Sequence, residues 1–436
     1  VLQGANFNVD NKPRNAANWN TYFQNANRHL IDVIEQTRSN TNRSNLYHAA
    51  RIWRANVMMI LTDTYGDIPY TEAGLGYLKG IAFPKYDKQE AVYTDIIKEL
   101  TEAAAGLDAT KTRETGEIMY GGDVAKWRRL AFSLLLRAGM RLSAVNPTLA
   151  RSIVERAVAG GVIQSNADNA VIRNDANFTN STGATLNGSE ANNYYLTKPF
   201  VDQLKSTNDP RLAAIAVRYV GAASGAGQTP ARADRTPAVQ IGMPMGFDNS
   251  TIVPQATRDG LVSFYEYSQL DRTRMGKIAS PNYFVTHAQT QLLLAEAAVR
   301  GWVTGNPATF YNAAVTAHMQ QLGEYDAASA VPQAAIDAYL AANPFVPARA
   351  LEQIGTQYWI ASFLNFPEAW ANFRRSNFPV LTPNPYPGKT IRGAFINRLS
   401  YPDAENSVNR TNLDAAIASQ GLRNIDDIDT PVWWDK

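Results

Sequence analysis

The segment from Arg51 to Gly74, RIWRANVMMILTDTYGDIPYTEAG, constrains the fold more than any other stretch of the chain. Leu46, Ala49, Ala50, Trp53, Val57, Ile60 and Leu61 recur at steps of three and four, so one stripe of a helix is apolar. Ile52, Met58 and Met59 widen that stripe, and the helix is expected to meet neighbours on more than one side. Gly66 stands where a residue of positive φ closes a helix, and Pro69 follows where no helix can continue.

Partner helices are legible on both sides of it. A first helix is expected from about Asn18 to Thr37, with Asn18 as N-cap and Trp19, Tyr22, Phe23, Leu30 and Ile34 apolar. The polar link SNTNRSN then makes a helical hairpin. Asp87-Lys88-Gln89-Glu90 has capping-box spacing and opens a helix through Val92, Ile96, Leu100 and Leu107. Asp123 opens the next, through Trp127, Leu134 and Leu142. Asn146-Pro147 starts another that stops at Gly160-Gly161.

From about 162 to 279 the texture changes to Asn, Gly, Ser, Thr and Pro. Only Pro199 to Lys205 reads as helical there, while Ala213 to Val220 fits a strand or a short helix. Helices resume at Ser280-Pro281, with Phe284, Val285, Ala288 and Leu292 on one stripe and Gly301 closing. Asn306-Pro307 starts the next, and a further pair is expected around Ile336 to Leu340 and Leu351 to Leu364. Paired helices at loose spacing read as tetratricopeptide-like units, without the strict repeat of roughly 34 residues. The expected architecture is mostly α and one domain over 1–436. A scaffold at about 18–161 and 280–375 carries a loop-rich insertion at 162–279 and a C-terminal segment at 376–436.

Composition excludes several functions. Forty-one basic and 39 acidic side chains give a net charge of +2, which argues against nucleic acid held by bulk charge. Cysteine is absent, which removes disulfides, thiolate metal sites and a cysteine nucleophile within these residues. His29, His48, His287 and His318 lie far apart and lack metal-ligand spacing, so neither metal nor cofactor is expected. No nucleophile elbow, phosphate loop or dinucleotide fingerprint occurs. Asp63 and Asp67 could form a carboxylate pair, but they flank a helix end that accounts for them; no catalytic residue is assigned. The opening run, Val1 to Pro13, has no helical period and reads as a loop continuing from upstream.

The informative chemistry is aromatic, with 20 Tyr, 16 Phe and 8 Trp beside frequent asparagine. A sugar ring offers C–H faces to an aromatic plane and hydroxyls to amides, and a peptide can use a similar surface. Scaffold helices spend their apolar faces on each other, so ligand contacts are expected from loops. Within the insertion this singles out Tyr194, Tyr195 and Phe247, then Tyr265 and Tyr267, with Asn192 and Asn193 beside them.

Further segments carry a family resemblance. The helix closing on GDIPYTEA is followed in order by YDKQEAVYTDIIKEL, GDVAKWRRLAFSLLLRAGMRLS, the Asn208-Asp209-Pro210-Arg211 turn and YWIASFLNFPEAWANFRRSNFPVLTP. Together these resemble the SusD/RagB nutrient-binding lipoproteins of the Bacteroidetes outer membrane, in the branch called SusD-like 2. The resemblance spans Trp19 to Lys436. It implies a cell-surface binding protein without covalent chemistry. Such a protein captures an oligosaccharide, or alternatively an oligopeptide, and delivers it to a SusC-type TonB-dependent barrel. It also implies a lipid-bearing cysteine ahead of Val1.

Overall fold

The structure is a computed structural model, described for residues 10–435, so most of the opening loop expected at Val1 to Pro13 lies outside it. The fold is mostly α. Its first helix begins earlier than Asn18: Pro13 sits in the first turn of Lys12–Asn20, where its missing N–H costs nothing. That helix runs through a π-helical stretch, Thr21–Asn27, into Arg28–Thr37. Ser44–Tyr65 packs against it and against Gln89–Gly106. Val124–Arg141 and Pro147–Gly160 continue the antiparallel series. On the far side of the insertion, His287–Val299 packs on Pro307–Gln321 and Ala350–Ala361, and the latter on Phe366–Ser376. Contact between Val124–Arg141 and His287–Val299 joins the two series. One apolar core therefore runs from Trp19 through Leu134 and Leu292 to Trp434.

Two further expectations are corrected. Asp87 does not cap the Gln89–Gly106 helix; its carboxylate accepts from the N–H groups of Tyr70 (3.1 Å) and Thr71 (2.8 Å), pinning the GDIPYT turn. Asp67 does the capping from across the chain, accepting from Gln89 N–H at 2.9 Å. The run after Ser280-Pro281 is not yet helix: Asn282–Val285 is a strand paired antiparallel with Ala170–Ile172. The helix starts at His287, with Thr286 and Gln289 forming a true capping box.

The insertion is more ordered than its composition implied. Ala216–Tyr219 is the centre of a three-stranded antiparallel sheet with Ala233–Asp234 and Gln269–Leu270, which resolves half of the ambiguous Ala213 to Val220 run as strand. The other half ends the short helix Arg211–Ile215. Further short helices form at Ser181–Asn187, Lys198–Ser206 and Ile252–Arg258.

Asp63 is the hub of a buried charge network. It accepts from Tyr93 OH (2.5 Å), Trp434 Nε1 (2.8 Å) and Arg141 Nε (3.1 Å), while Arg141 Nη2 donates to Glu368 at 2.7 Å. Close by, Arg375 donates to both oxygens of Glu296, and Arg300 adds a further bond. Burial alone would raise the Glu296 carboxyl, but Arg375 and Arg300 hold it down to about 2. Unfolding returns it to ~4.3, so this group's stabilisation is complete above that pH and is lost as pH falls toward its folded value. Acid titration followed by circular dichroism should show stability falling below pH ~4.3. Glu296→Gln should flatten that slope while lowering stability at neutral pH.

Candidate ligand-binding cleft

A cleft of about 480 Å³ opens between the insertion and the second helix series. Its insertion wall is the Ser181–Asn187 helix and the Tyr194–Thr197 run that follows. Asn180 fixes this helix twice over. Its Oδ1 accepts from Gly183 N–H at 2.9 Å, and its Nδ2 donates to the Ser280 carbonyl at 2.9 Å and to Asn282 Oδ1 at 2.7 Å. Gly183 lets the helix touch the chain behind it, because a Cβ there would lie 2.1 Å from the Lys277 carbonyl oxygen.

The opposite wall is the turn between Ala350–Ala361 and Phe366–Ser376. Leu364 adopts φ +70°, a left-handed conformation uncommon for a branched side chain, and this turn presents Phe363 and Phe366 to the cleft. Phe200 stacks on Phe363 (4.9 Å between centroids, 18° between planes) and meets Trp359 edge-on at 5.2 Å. Buried Leu186, Leu196, Phe200 and Leu270 form the floor, whereas Ser181, Thr182, Thr185, Tyr194 and Phe366 are exposed at the rim.

The residues expected at the site separate into two groups. Tyr194, 44% exposed, and Tyr195, half-buried, both line the cleft. Tyr195 OH donates to the Asn192 carbonyl at 2.8 Å, and burial raises its phenol well above the ordinary value. Asn192 packs against Gly225, and Asn193 Nδ2 donates to Glu190 at 2.8 Å, so both shape the loop that carries the two tyrosines. Phe247, Tyr265 and Tyr267 stand apart from the cleft lining. Phe247 packs with Met243 and Ile252, and Tyr265 stacks on Phe264 at 4.2 Å. Tyr267 is fully buried with its OH on Asp259 at 2.6 Å. Each of these three pins part of the insertion.

Sequence reasoning missed Trp359, Phe363 and Phe366. The local signal is thin: they repeat the four-then-three spacing of Ile354, Tyr358 and Ala361 five residues later, but Phe363 and Phe366 lie beyond the end of the Ala350–Ala361 helix. Trp359 falls in the scaffold helix expected over Leu351 to Leu364, whose apolar residues read as core, yet Trp359, like Trp53, is only partly buried.

Among the described residues, the lining contains no charged side chain and no histidine. Carbon dominates, with hydroxyls at the edge. Such a surface can bind a neutral molecule that has apolar faces and hydroxyl or amide edges. Asp63 and Asp67, the pair weighed as carboxylates, belong to the structural network: Asp67 also accepts from Ser419 Oγ at 2.8 Å.

Gly183→Ala tests the insertion wall. The added methyl must displace the helix from Lys277, which should cost ~1–3 kcal/mol and weaken ligand binding. Ala184→Ser, exposed on the same helix and outside the cleft lining, should leave both melting temperature and affinity near wild type.

The paired-helix scaffold thus holds a cleft walled by aromatic rings and rimmed by hydroxyls. The family model described as starch-binding and associating with the outer membrane, SusD-like 2, matches residues 2–402, and the chain belongs to that family. Two solved structures share substantial identity with it. One, named as a chitin-binding protein, is 32% identical with a TM-score of 0.87, over 99% of this chain and 90% of that one. A SusD-like protein of Bacteroidetes AC2a is 30% identical with a TM-score of 0.83, over 99% and 91%. A chitin-binding SusD homologue from Flavobacterium johnsoniae, 24% identical, shares the fold with a TM-score of 0.81, over 99% and 89%. No curated protein matches the chain. Among the described residues no helix is long and apolar enough to cross a membrane.

Proposed function

We propose that this chain captures an oligomeric glycan at the cell surface and passes it to a SusC-type TonB-dependent barrel. The observation that carries the ligand half is the cleft itself, where Trp359, Phe363 and Tyr194 offer aromatic faces and the threonine and serine rim offers hydroxyls. Pyranose rings present the complementary C–H faces and hydroxyl edges. An N-acetylglucosamine polymer is the favoured ligand. Its acetamido methyls suit a cleft floored by leucine and phenylalanine, and a 32% identical relative is named as chitin-binding. Family membership supports the outer-membrane setting, with a lipid anchor on a cysteine ahead of Val1 and the barrel as partner. The continuous core supports folding of 1–436 as a single unit. Limited proteolysis is then expected to yield no pair of independently stable halves.

Calorimetric titration with N-acetylglucosamine oligomers, maltooligosaccharides and short peptides tests the ligand. Saturable binding is expected for the first and weaker or none for the others. Binding of peptides alone would replace glycan by oligopeptide. Co-purification from detergent-solubilised outer membrane should recover a large barrel, and repeated failure to do so would count against the delivery role.

A further inference from the structure

We propose that the cleft reads the charge of the sugar, accepting neutral acylated aminosugar units and rejecting units that carry a free amine. The inference rests on the glycan reading above and adds a selectivity to it. Its basis is the composition of the lining. From the rim at Ser181, Thr182 and Thr185 to the floor at Leu186, Phe200 and Leu270, the described residues contribute no acid and no base.

The charges nearest the cleft lie outside its lining and are held by hydrogen bonds or ion pairs of their own. Arg272 donates to the Ala191 carbonyl at 2.8 Å and to Gln228 at 3.2 Å. Lys198 pairs with Asp202, and Glu190 accepts from Asn193. Glu368, behind the Phe366 turn, is held by Arg141 at 2.7 Å and by Tyr358 OH at 2.7 Å. An ammonium entering the cleft would give up hydration for carbon, with no acid in the lining to pair with it. An acetamido group instead carries its methyl to the apolar floor and leaves its amide and ring hydroxyls at the hydroxyl rim. Deacetylation therefore turns a favourable contact into an uncompensated charge.

The test uses the whole protein and three hexasaccharides of equal length, titrated at a pH where the free amine is protonated. They are the N-acetylglucosamine oligomer, its fully deacetylated counterpart and the cellulose-derived oligomer. The deacetylated oligomer is expected to bind roughly tenfold or more weaker than the acetylated one. The neutral cellulose oligomer, with a hydroxyl in place of each acetamido group, is expected to fall between them. Equal affinity for the acetylated and deacetylated oligomers would overturn the selectivity while leaving glycan capture intact. Absence of binding by all three would overturn both.

Thr185→Asp provides a gain-of-function arm, because its exposed position lets the fold tolerate the change. With a native-like melt, it should narrow the preference for the acetylated oligomer several-fold by supplying a counter-charge. An unchanged preference in that variant would remove the cleft as the seat of selectivity.

Discussion

Arg141→Met is expected to destabilise the protein by ~3–5 kcal/mol. The Arg141 side chain is fully buried and touches Asp63 at 3.1 Å and Glu368 at 2.7 Å. Its replacement leaves two carboxylates in the interior. Arg137, 3.4 Å from Glu368, can compensate only one of them. Asp63 also anchors Trp434 and Tyr93, so the loss should reach both the C-terminal segment and the first helix series. Urea denaturation measures it directly. A companion variant, Arg141→Met with Glu368→Gln, should recover part of the loss because one unpaired charge is then removed. A single-variant cost below ~1 kcal/mol would mean that water or relaxation already screens the network.

Trp359→Ala carries the largest expected effect on ligand. Trp359 is half-buried, packs edge-on against Phe200 and lines the cleft, so it offers a face while its ring is held in place. Truncation should weaken glycan binding by ~2 kcal/mol or more if the ring is the central contact. Tyr194→Ala, at the exposed rim, should cost ~0.5–1.5 kcal/mol. Tyr265→Ala should leave affinity near wild type and act as a control for indirect damage. Calorimetry with thermal melts on the same samples separates binding from folding. If Tyr265→Ala weakens binding more than Trp359→Ala does, the cleft is not the site.

Which features the sequence disclosed follows from how local their signals are. Asn146-Pro147 and Asn306-Pro307 mark helix starts because capping is settled within one turn: Asn146 accepts from Leu149 N–H and Asn306 from Ala308 N–H. Asp87 misled for the opposite reason. Its partners, Tyr70 and Thr71, lie in the turn after Ile68-Pro69, 17 and 16 residues earlier in the chain, and the cap expected of it is supplied by Asp67. Asn282–Val285 reads as a helix start because proline precedes it and its apolar residues lie in register with the helix that follows. Its strand partner, Ala170–Ile172, lies on the other side of the insertion and leaves no local trace.

The cleft divides in the same way. The Tyr194 and Tyr195 wall stands out locally, as adjacent rings among asparagines in a loop-rich stretch. Trp359, Phe363 and Phe366 come from a helical hairpin, where aromatic residues ordinarily mean core. Only the three-dimensional meeting of that hairpin with Phe200 shows that these rings line a cleft.

A crystal structure of the protein with the N-acetylglucosamine hexasaccharide tests the site most directly. Sugar density is expected along Trp359 and Phe363, with Tyr194 on the facing wall and acetamido methyls toward Leu186 and Leu270. Density on another face, with the cleft empty at saturating ligand, would contradict it.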